Sequence, residues 1–217
     1  MRSIAGLVFF VSALLVSTPL TSHAQSAESV LQRVQMTYET ARAVSASFTQ
    51  TSDQPMMDGA TEIEGSLLVR GNMFRVETEN ETLVNDGETV WIYDRTANQV
   101  IINHHVEDET LVTPDQIFFD QAERYDAIAI DSFSEGGGTY FDVDLEAKAD
   151  GAFYEHVTIR VRDSDGLIVR AELEDRDGGQ MVFDLNEVRL NPPISDDEFT
   201  FDPPDDAEIV DMRPDDA

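Results

Sequence analysis

From Phe141 to Asn186 the chain repeats one arrangement four times, and few folds accommodate it. Phe141, Val143 and Leu145 alternate with Asp142, Asp144 and Glu146. Val157, Ile159 and Val161 alternate with His156, Thr158, Arg160 and Arg162. Leu167, Val169, Ala171 and Leu173 oppose Arg170, Glu172 and Glu174, and Met181, Phe183 and Leu185 oppose Asp184 and Asn186. A period of two sends each set to one side of a strand. Turn signals at Asp150-Gly151, Asp163–Gly166 and Asp177–Gly179 separate the strands. These segments predict an antiparallel sheet, apolar on one side and wet on the other.

The first half of the chain extends the pattern. Ala46, Phe48 and Gln50 alternate as a first strand, and Asp53–Ala60 reads as a loop. Ile63, Gly65, Leu67 and Val69 form another strand, and after a break at Gly71-Asn72, Phe74 and Val76 alternate with Arg75 and Glu77. Asp86-Gly87 predicts a type I′ hairpin turn, in which both central residues have φ > 0. Beyond it Thr89, Trp91 and Tyr93 share one face and Val90 and Ile92 the other, and a turn at Asp94–Asn98 leads into Val100–Ile102. Ala127–Phe133 and Phe199–Phe201 are further strand candidates, with an acidic tail from Pro203-Pro204.

Helix is scarce. Ser26–Val44 is amphipathic, with Val30, Val34, Tyr38 and Ala41 at helical spacing and Leu31 widening the stripe. Thr113-Pro114 marks a second start, followed by Ile117, Phe118 and Phe119, and Gln121–Tyr125 suggests one more turn. The fold class is therefore mainly β (α+β): roughly ten strands in a strongly curved antiparallel sheet, an incomplete β-barrel with a few helices. Its inside holds either packed side chains or a ligand cavity.

Met1-Arg2-Ser3, an apolar run from Ile4 to Val16 and the small residues of Ser22-His23-Ala24 predict a signal peptide over residues 1–24, cleaved after Ala24. The run is short for a membrane span. Residues 25–217 are then one exported domain without a cysteine, held by packing and strand pairing. Forty-four acidic against 14 basic residues give a formal charge of −30, and Lys148 is the single lysine. That excess excludes nucleic acid as a partner and suits a salt-adapted organism.

Catalytic chemistry finds no foothold. His104 and His105 are adjacent, so on a strand they point apart and cannot chelate one metal. Asp163-Ser164-Asp165-Gly166 lacks the rest of a calcium loop and reads as a hairpin turn. Asn80-Glu81-Thr82 is a formal glycosylation sequon, and no serine sits in a nucleophile elbow. No enzyme activity, cofactor or metal is expected.

Four stretches, in this order, carry a resemblance. They are Ala46-Ser47-Phe48-Thr49-Gln50 after a helix; Gly65-x-Leu67 leading to Arg70 and Phe74-Arg75; Leu83–Tyr93 with its Asp86-Gly87 turn and Trp91-x-Tyr93; and Phe199-Thr200-Phe201-Asp202-Pro203-Pro204. Over nearly the whole exported chain they resemble the periplasmic outer-membrane lipoprotein carrier family (LolA). The resemblance implies a half-barrel closed by lid helices, whose inner face shelters the acyl chains of a lipoprotein. The partners implied are that lipoprotein, an inner-membrane lipoprotein-releasing ABC transporter and an outer-membrane lipoprotein acceptor, with the carrier acting as a periplasmic monomer.

Carried onto this chain, the acyl-chain cavity falls to Phe48, Leu67, Val69, Phe74, Val76, Trp91, Tyr93, Phe141, Val143, Val157, Ile159, Val169 and Phe183, and the lid to Val34, Tyr38, Ile117 and Phe118. An arginine ahead of the phenylalanine strand latches the closed lid in the family. Arg70 holds the matching position and Arg75 is the alternative, although the family's usual proline is here Gly71 and the spacing from Gly65 is one residue shorter. A second reading is a related half-barrel that senses lipids or mislocalised lipoproteins and regulates an envelope stress response. Such sensors commonly carry a second domain, for which this chain has no room.

Overall fold

The structure is a computed structural model that describes residues 26–55, 59–105, 113–118 and 121–213. The expected signal peptide, the charge run Glu107-Asp108-Glu109 and Phe119 lie outside the described residues. Helix α1 (Ala27–Glu39) starts where the Ser29 amide donates to Ser26 Oγ at 3.2 Å, with Glu28 in the first turn. It ends at Thr40 and not at Val44, because Val44 already opens a strand.

Six strands follow as a meander: β1 (Val44–Asp53), β2 (Thr61–Arg70), β3 (Met73–Thr78), β4 (Glu81–Asn85), β5 (Thr89–Asp94) and β6 (Gln99–His104). Two short helices, α2 (Pro114–Phe118) and α3 (Gln121–Arg124), lead to a second meander. It comprises β7 (Tyr125–Glu135), β8 (Gly138–Ala147), β9 (Tyr154–Arg162), β10 (Ile168–Asp175) and β11 (Gln180–Leu190). After a 3-10 turn at Asp196–Phe199 comes the last strand of the described residues, β12 (Glu208–Asp211).

All twelve strands form one sheet, ordered β12-β6-β5-β4-β3-β2-β1-β11-β10-β9-β8-β7. β1 pairs with β11 and joins the meanders, while β7 and β12 stand at opposite ends, so the curved sheet is unclosed. The mainly β class and incomplete barrel are as expected. One pairing departs from the antiparallel rule: β12 runs parallel to β6. The strand expected at Phe199–Phe201 is absent, since Phe199 closes the 3-10 turn and Pro203-Pro204 have no N–H to give a ladder. The strand comes later, in what reads from sequence as a tail.

Two turns differ from expectation for local reasons. Between Asn85 and Val90 the chain makes a four-residue loop and not a two-residue type I′ turn. Gly87 has φ 101°, whereas Asp86 keeps φ < 0 and its Oδ1 accepts from the Glu88 and Thr89 amides at 2.9 and 2.8 Å. At Gly71-Asn72 a two-residue loop joins Arg70 to Met73, and Gly71 has φ 60°. Proline cannot reach that angle, so this hairpin requires the departure from the family's proline.

Register carries one face across the first meander. Val44, Val69, Phe74, Asn85 and Val90 stand opposite one another in succession, as do Ala46, Leu67, Val76, Leu83 and Ile92. Through β1 and β11 the same inner face reaches Phe183, Ala171, Ile159 and Val143. The buried stripe of α1, formed by Val30, Leu31, Val34 and Tyr38, packs onto it over β7 and β8. Tyr38, with no exposed surface, accepts a hydrogen bond from the Ile168 amide at 2.9 Å, and Arg33 anchors α1 to Asp163 at 3.0 Å.

Candidate functional site

Helix α1 fills only the half of the concave face formed by the second meander. Over β2 and β3 lies α2 instead, and beneath it a cavity of about 800 Å³ remains. That is within the range of roughly 300–1,000 Å³ usual for ligand pockets. Its apolar lining comes from Phe48, Ile63, Leu67, Val76, Leu83, Met181 and Phe183 on the sheet and Pro114 and Ile117 on the lid segment. Gln50, Thr78, Asn80, Glu62, Glu64, Glu79 and Glu81 complete it.

Gly65 clears the space. It faces inward between Phe48 and Thr78, and a Cβ there would stand 2.6 Å from Phe48 Cζ and 2.5 Å from the Glu77 carbonyl oxygen. The missing side chain lets the Phe48 ring lie against the strand, edge-on to Phe183 at 6.3 Å between centroids. A larger residue would push the ring into the hollow.

Among the described residues, Thr113, Pro114, Ile117 and Phe118 anchor the segment expected to form a lid. Thr113 and Pro114 start α2 as the sequence predicts, with the Ile117 amide donating to the Thr113 carbonyl at 3.3 Å. Ile117 and Phe118 are 3 % and 1 % exposed, and the Phe118 ring lies 5.2 Å from that of Tyr38. Tyr38 thus links α1 to α2, and burial pushes its hydroxyl pKa far up, so it stays a neutral partner.

The expected cavity residues divide into groups. Phe48, Leu67, Val76 and Phe183 line the hollow, together with Ile117, which was expected in the lid. Val69, Phe74, Phe141, Val143, Val157 and Ile159 pack with Val34, Tyr38 and Phe118 in the continuous core beside it. The barrel is filled at one end and hollow at the other.

Val169 belongs to neither group: a bulge between Ile168 and Arg170 takes it out of register, and the fully buried Ile168 packs in its place. Trp91 and Tyr93 project from the opposite face. Trp91 stands across from Val84 and Ile102, and Tyr93 across from Thr82 and Val100. The face of β5 that looks inward carries Val90 and Ile92.

The outer face has its own cover. The segment after the 3-10 turn crosses it: Phe201 lies 5.9 Å from the Tyr93 ring, Asn98 Nδ2 donates to the Asp206 carbonyl at 2.9 Å, and β12 follows. Arg70 and Arg75 serve this arm. Arg70 pairs with Asp196 at 2.7 Å and stacks 4.7 Å from the Phe199 ring. Arg75 pairs with Glu77 at 2.6 Å and donates to the Glu198 and Thr200 carbonyls at 3.4 Å. Among the described residues, the contacts of Arg70 and Arg75 therefore go to the C-terminal arm and not, as expected, to the lid. The reason is register: Val69 and Phe74 point inward, so Arg70 and Arg75 point outward.

Glu81, whose β4 position shares the inward face of Leu83, escaped sequence reasoning, because it is indistinguishable in sequence from the other acidic residues; Glu62 and Glu64 alternate with the inward Ile63 and Gly65 and so face outward. Glu81 belongs to the Asn80-Glu81-Thr82 sequon and faces inward opposite Asp94. Desolvation, and then the charge of Asp94, raises its carboxyl pKa. Of the described histidines, His104 and His156 are exposed and His105 is half-buried beside Asn85 Nδ2 at 2.9 Å. Asp163–Gly166 is the β9–β10 turn. Among the described residues no three His, Asp or Glu side chains are grouped to hold a metal ion, and no helix is long and apolar enough to cross a membrane.

Residues 39–202 match the family model described as outer membrane lipoprotein carrier protein LolA. An outer-membrane lipoprotein carrier protein of Aliivibrio fischeri is 31% identical over 173 residues, covering 77% of this chain and 83% of its own. One of Pseudomonas paraeruginosa is 26% identical over 205 residues, covering 93% and 96%. Among solved structures, an uncharacterized conserved protein of Thermus thermophilus superposes with a TM-score of 0.54 at 16% identity, over 86% of this chain and 99% of its own, a likeness of fold.

Proposed function

Because the chain belongs to the LolA family of outer membrane lipoprotein carrier proteins, we propose that it is a non-enzymatic periplasmic carrier that shields lipoprotein acyl chains between two membranes. It takes them from the inner-membrane releasing transporter and hands them to an outer-membrane acceptor. The observation that carries this reading is the apolar hollow of about 800 Å³ between the sheet and α2. Each buried CH₂ contributes about 0.8 kcal/mol, so an acylated anchor needs such shelter to cross water. The lid segment, held chiefly by Ile117 and Phe118, is the part that moves to admit and release cargo without a nucleotide.

The test is binding of a triacylated lipopeptide to the mature protein, against the same peptide without acyl chains. One-to-one, acyl-dependent binding is expected, weakened when Met181→Trp fills part of the hollow. Equal binding of both peptides, or none by the folded protein, overturns the reading.

A further inference from the structure

Strands β5 and β6 depart from the pattern of the second meander. There the inner face is apolar and the outer one charged, but Val90-Trp91-Ile92-Tyr93 and Val100-Ile101-Ile102 are apolar without interruption. Such a run belongs to a strand covered on both sides. The outer side has its cover: Val84 and Val100 are fully buried, and the C-terminal arm lays Phe201 against Tyr93. On the inner side Ile92 stands opposite Leu83, Ile101 opposite Ile92 and Val210 opposite Ile101, a row that continues Leu67 and Val76 out of the hollow. Val76 and Leu83 pack against the main core, whereas Ile92, Ile101 and Val210 lie outside it and stay half-exposed. Among the described residues the helices pack over β2, β3, β7 and β8. Burial is thus inverted in this part of the sheet, with the outer valines sealed and the inner row half-open.

Resting on the carrier reading, we propose that this row is a second acyl groove, taking a further chain of a multiply acylated cargo while another chain occupies the hollow. Continuity argues for this occupant: a chain lying on Leu67, Val76 and Leu83 meets no polar step before Ile92. At about 4.8 Å per strand, the row extends the apolar path about 14 Å beyond Leu83. Asn85 and Asn103 border it on one side and Asp94 and Gln99 on the other, so polar margins hold a chain to one file. Size argues the same way. A hollow of about 800 Å³ is in the class that encloses one drug-sized ligand, whereas three hexadecanoyl chains carry about fifty carbons. Each methylene withdrawn from water favours the complex about fourfold, so a chain left outside would forfeit its share. The row therefore sets how many chains are sheltered, while the hollow sets whether the cargo binds at all.

The experiment follows extraction of two lipopeptides from sedimentable vesicles by the mature protein, one with a single hexadecanoyl chain and the other with three. Ile92→Gln combined with Ile101→Gln makes the row polar outside the lining of the hollow, and Val210→Gln repeats the test at the sheet edge. The double variant should extract the three-chain peptide about tenfold less than the parent and the one-chain peptide within about twofold of it. Retained extraction of the one-chain peptide also shows that the variant is folded. Unchanged extraction of the three-chain peptide overturns the proposal while the carrier reading stands. Parallel loss of both peptides in the two variants, each folded by circular dichroism, overturns it too, since the row then serves the hollow itself. A dimer of the parent that Ile101→Gln dissociates in sedimentation would assign the row to a second copy of the chain instead. Failure of the parent to extract either peptide overturns both readings.

Discussion

Gly65→Ala offers the sharpest test of how the hollow is kept open. Gly65 is in a strand and its φ is not left-handed, so backbone preference favours alanine, and the lost unfolded-state freedom alone would stabilise by about 0.4–1 kcal/mol. The contacts oppose this. The new methyl would meet the Glu77 carbonyl oxygen at 2.5 Å and the Phe48 ring at 2.6 and 2.8 Å, well inside van der Waals separation. Overpacking of this kind costs about 1–3 kcal/mol, since β2 and β3 must part or the ring must swing away. The net expectation is destabilisation of about 1–2 kcal/mol, which lowers Tm by roughly 2–8 °C in a domain of this size. Urea denaturation separates this from a change in the unfolded state, because the midpoint should fall with the slope unchanged.

The same displacement puts the Phe48 ring into the cavity, so acyl-ligand affinity should fall with stability. In a Phe48→Ala background, Gly65→Ala should cost less by about 0.5–2 kcal/mol, leaving only the carbonyl contact. A Gly65→Ala protein as stable as the parent, with undiminished acyl binding, would refute the argument.

Three other perturbations probe separate parts of the structure. Tyr38→Phe leaves the buried Ile168 amide without its acceptor and should cost about 1–3 kcal/mol in urea denaturation; an unchanged midpoint would count against that bond. The raised Glu81 carboxyl binds its proton more tightly in the folded state than in the unfolded one, where the value is about 4.5. Its contribution to stability therefore falls as pH rises through that window, and the penalty persists at neutral pH. Glu81→Gln should accordingly raise Tm near pH 7 and lose its advantage below about pH 4; a lower Tm at neutral pH would contradict the sign. Arg70→Leu removes both the Asp196 pair and the contact with Phe199, so limited proteolysis between Pro192 and Asp206 should accelerate several-fold; unaltered cleavage would show that the arm is held without it.

The sheet was legible in the sequence wherever one face is apolar and the other charged. The alternation in β8, β9 and β11 survives folding unchanged, and Thr113-Pro114 marked the start of α2. Val169 failed because a bulge is settled between two strands and leaves no mark in one. The face of Trp91 and Tyr93 depended on the β3–β4 turn. There Thr78 Oγ1 accepts from the Glu81 amide at 3.0 Å, with neither glycine nor proline to announce the turn. Without that turn, nothing in the alternation says whether Trp91 or Val90 shares the side of Phe74. The hollow was hidden for a different reason: the apolar stripe of α1 fits a filled barrel as well as a part-filled one, and only the position of α1 over β7 and β8 leaves β2 and β3 to the short helix α2. β12 was missed because a pair of prolines looked like the end of order.

The strand order also bears on how the protein is made. Within each meander every strand pairs with its sequence neighbour, so those ladders close short loops at little entropic cost. The seam between β1 and β11 is different: it joins Phe48 to Leu185 and Gln50 to Phe183 across most of the chain. Contact order therefore places the seam after the two meanders in time, an order that pulsed hydrogen exchange during refolding would reveal or contradict. The hollow takes Phe48 from one side of the seam and Met181 and Phe183 from the other, so it comes into being with this last step. A chain still folding has no place for cargo, and loading is confined by topology to the finished molecule.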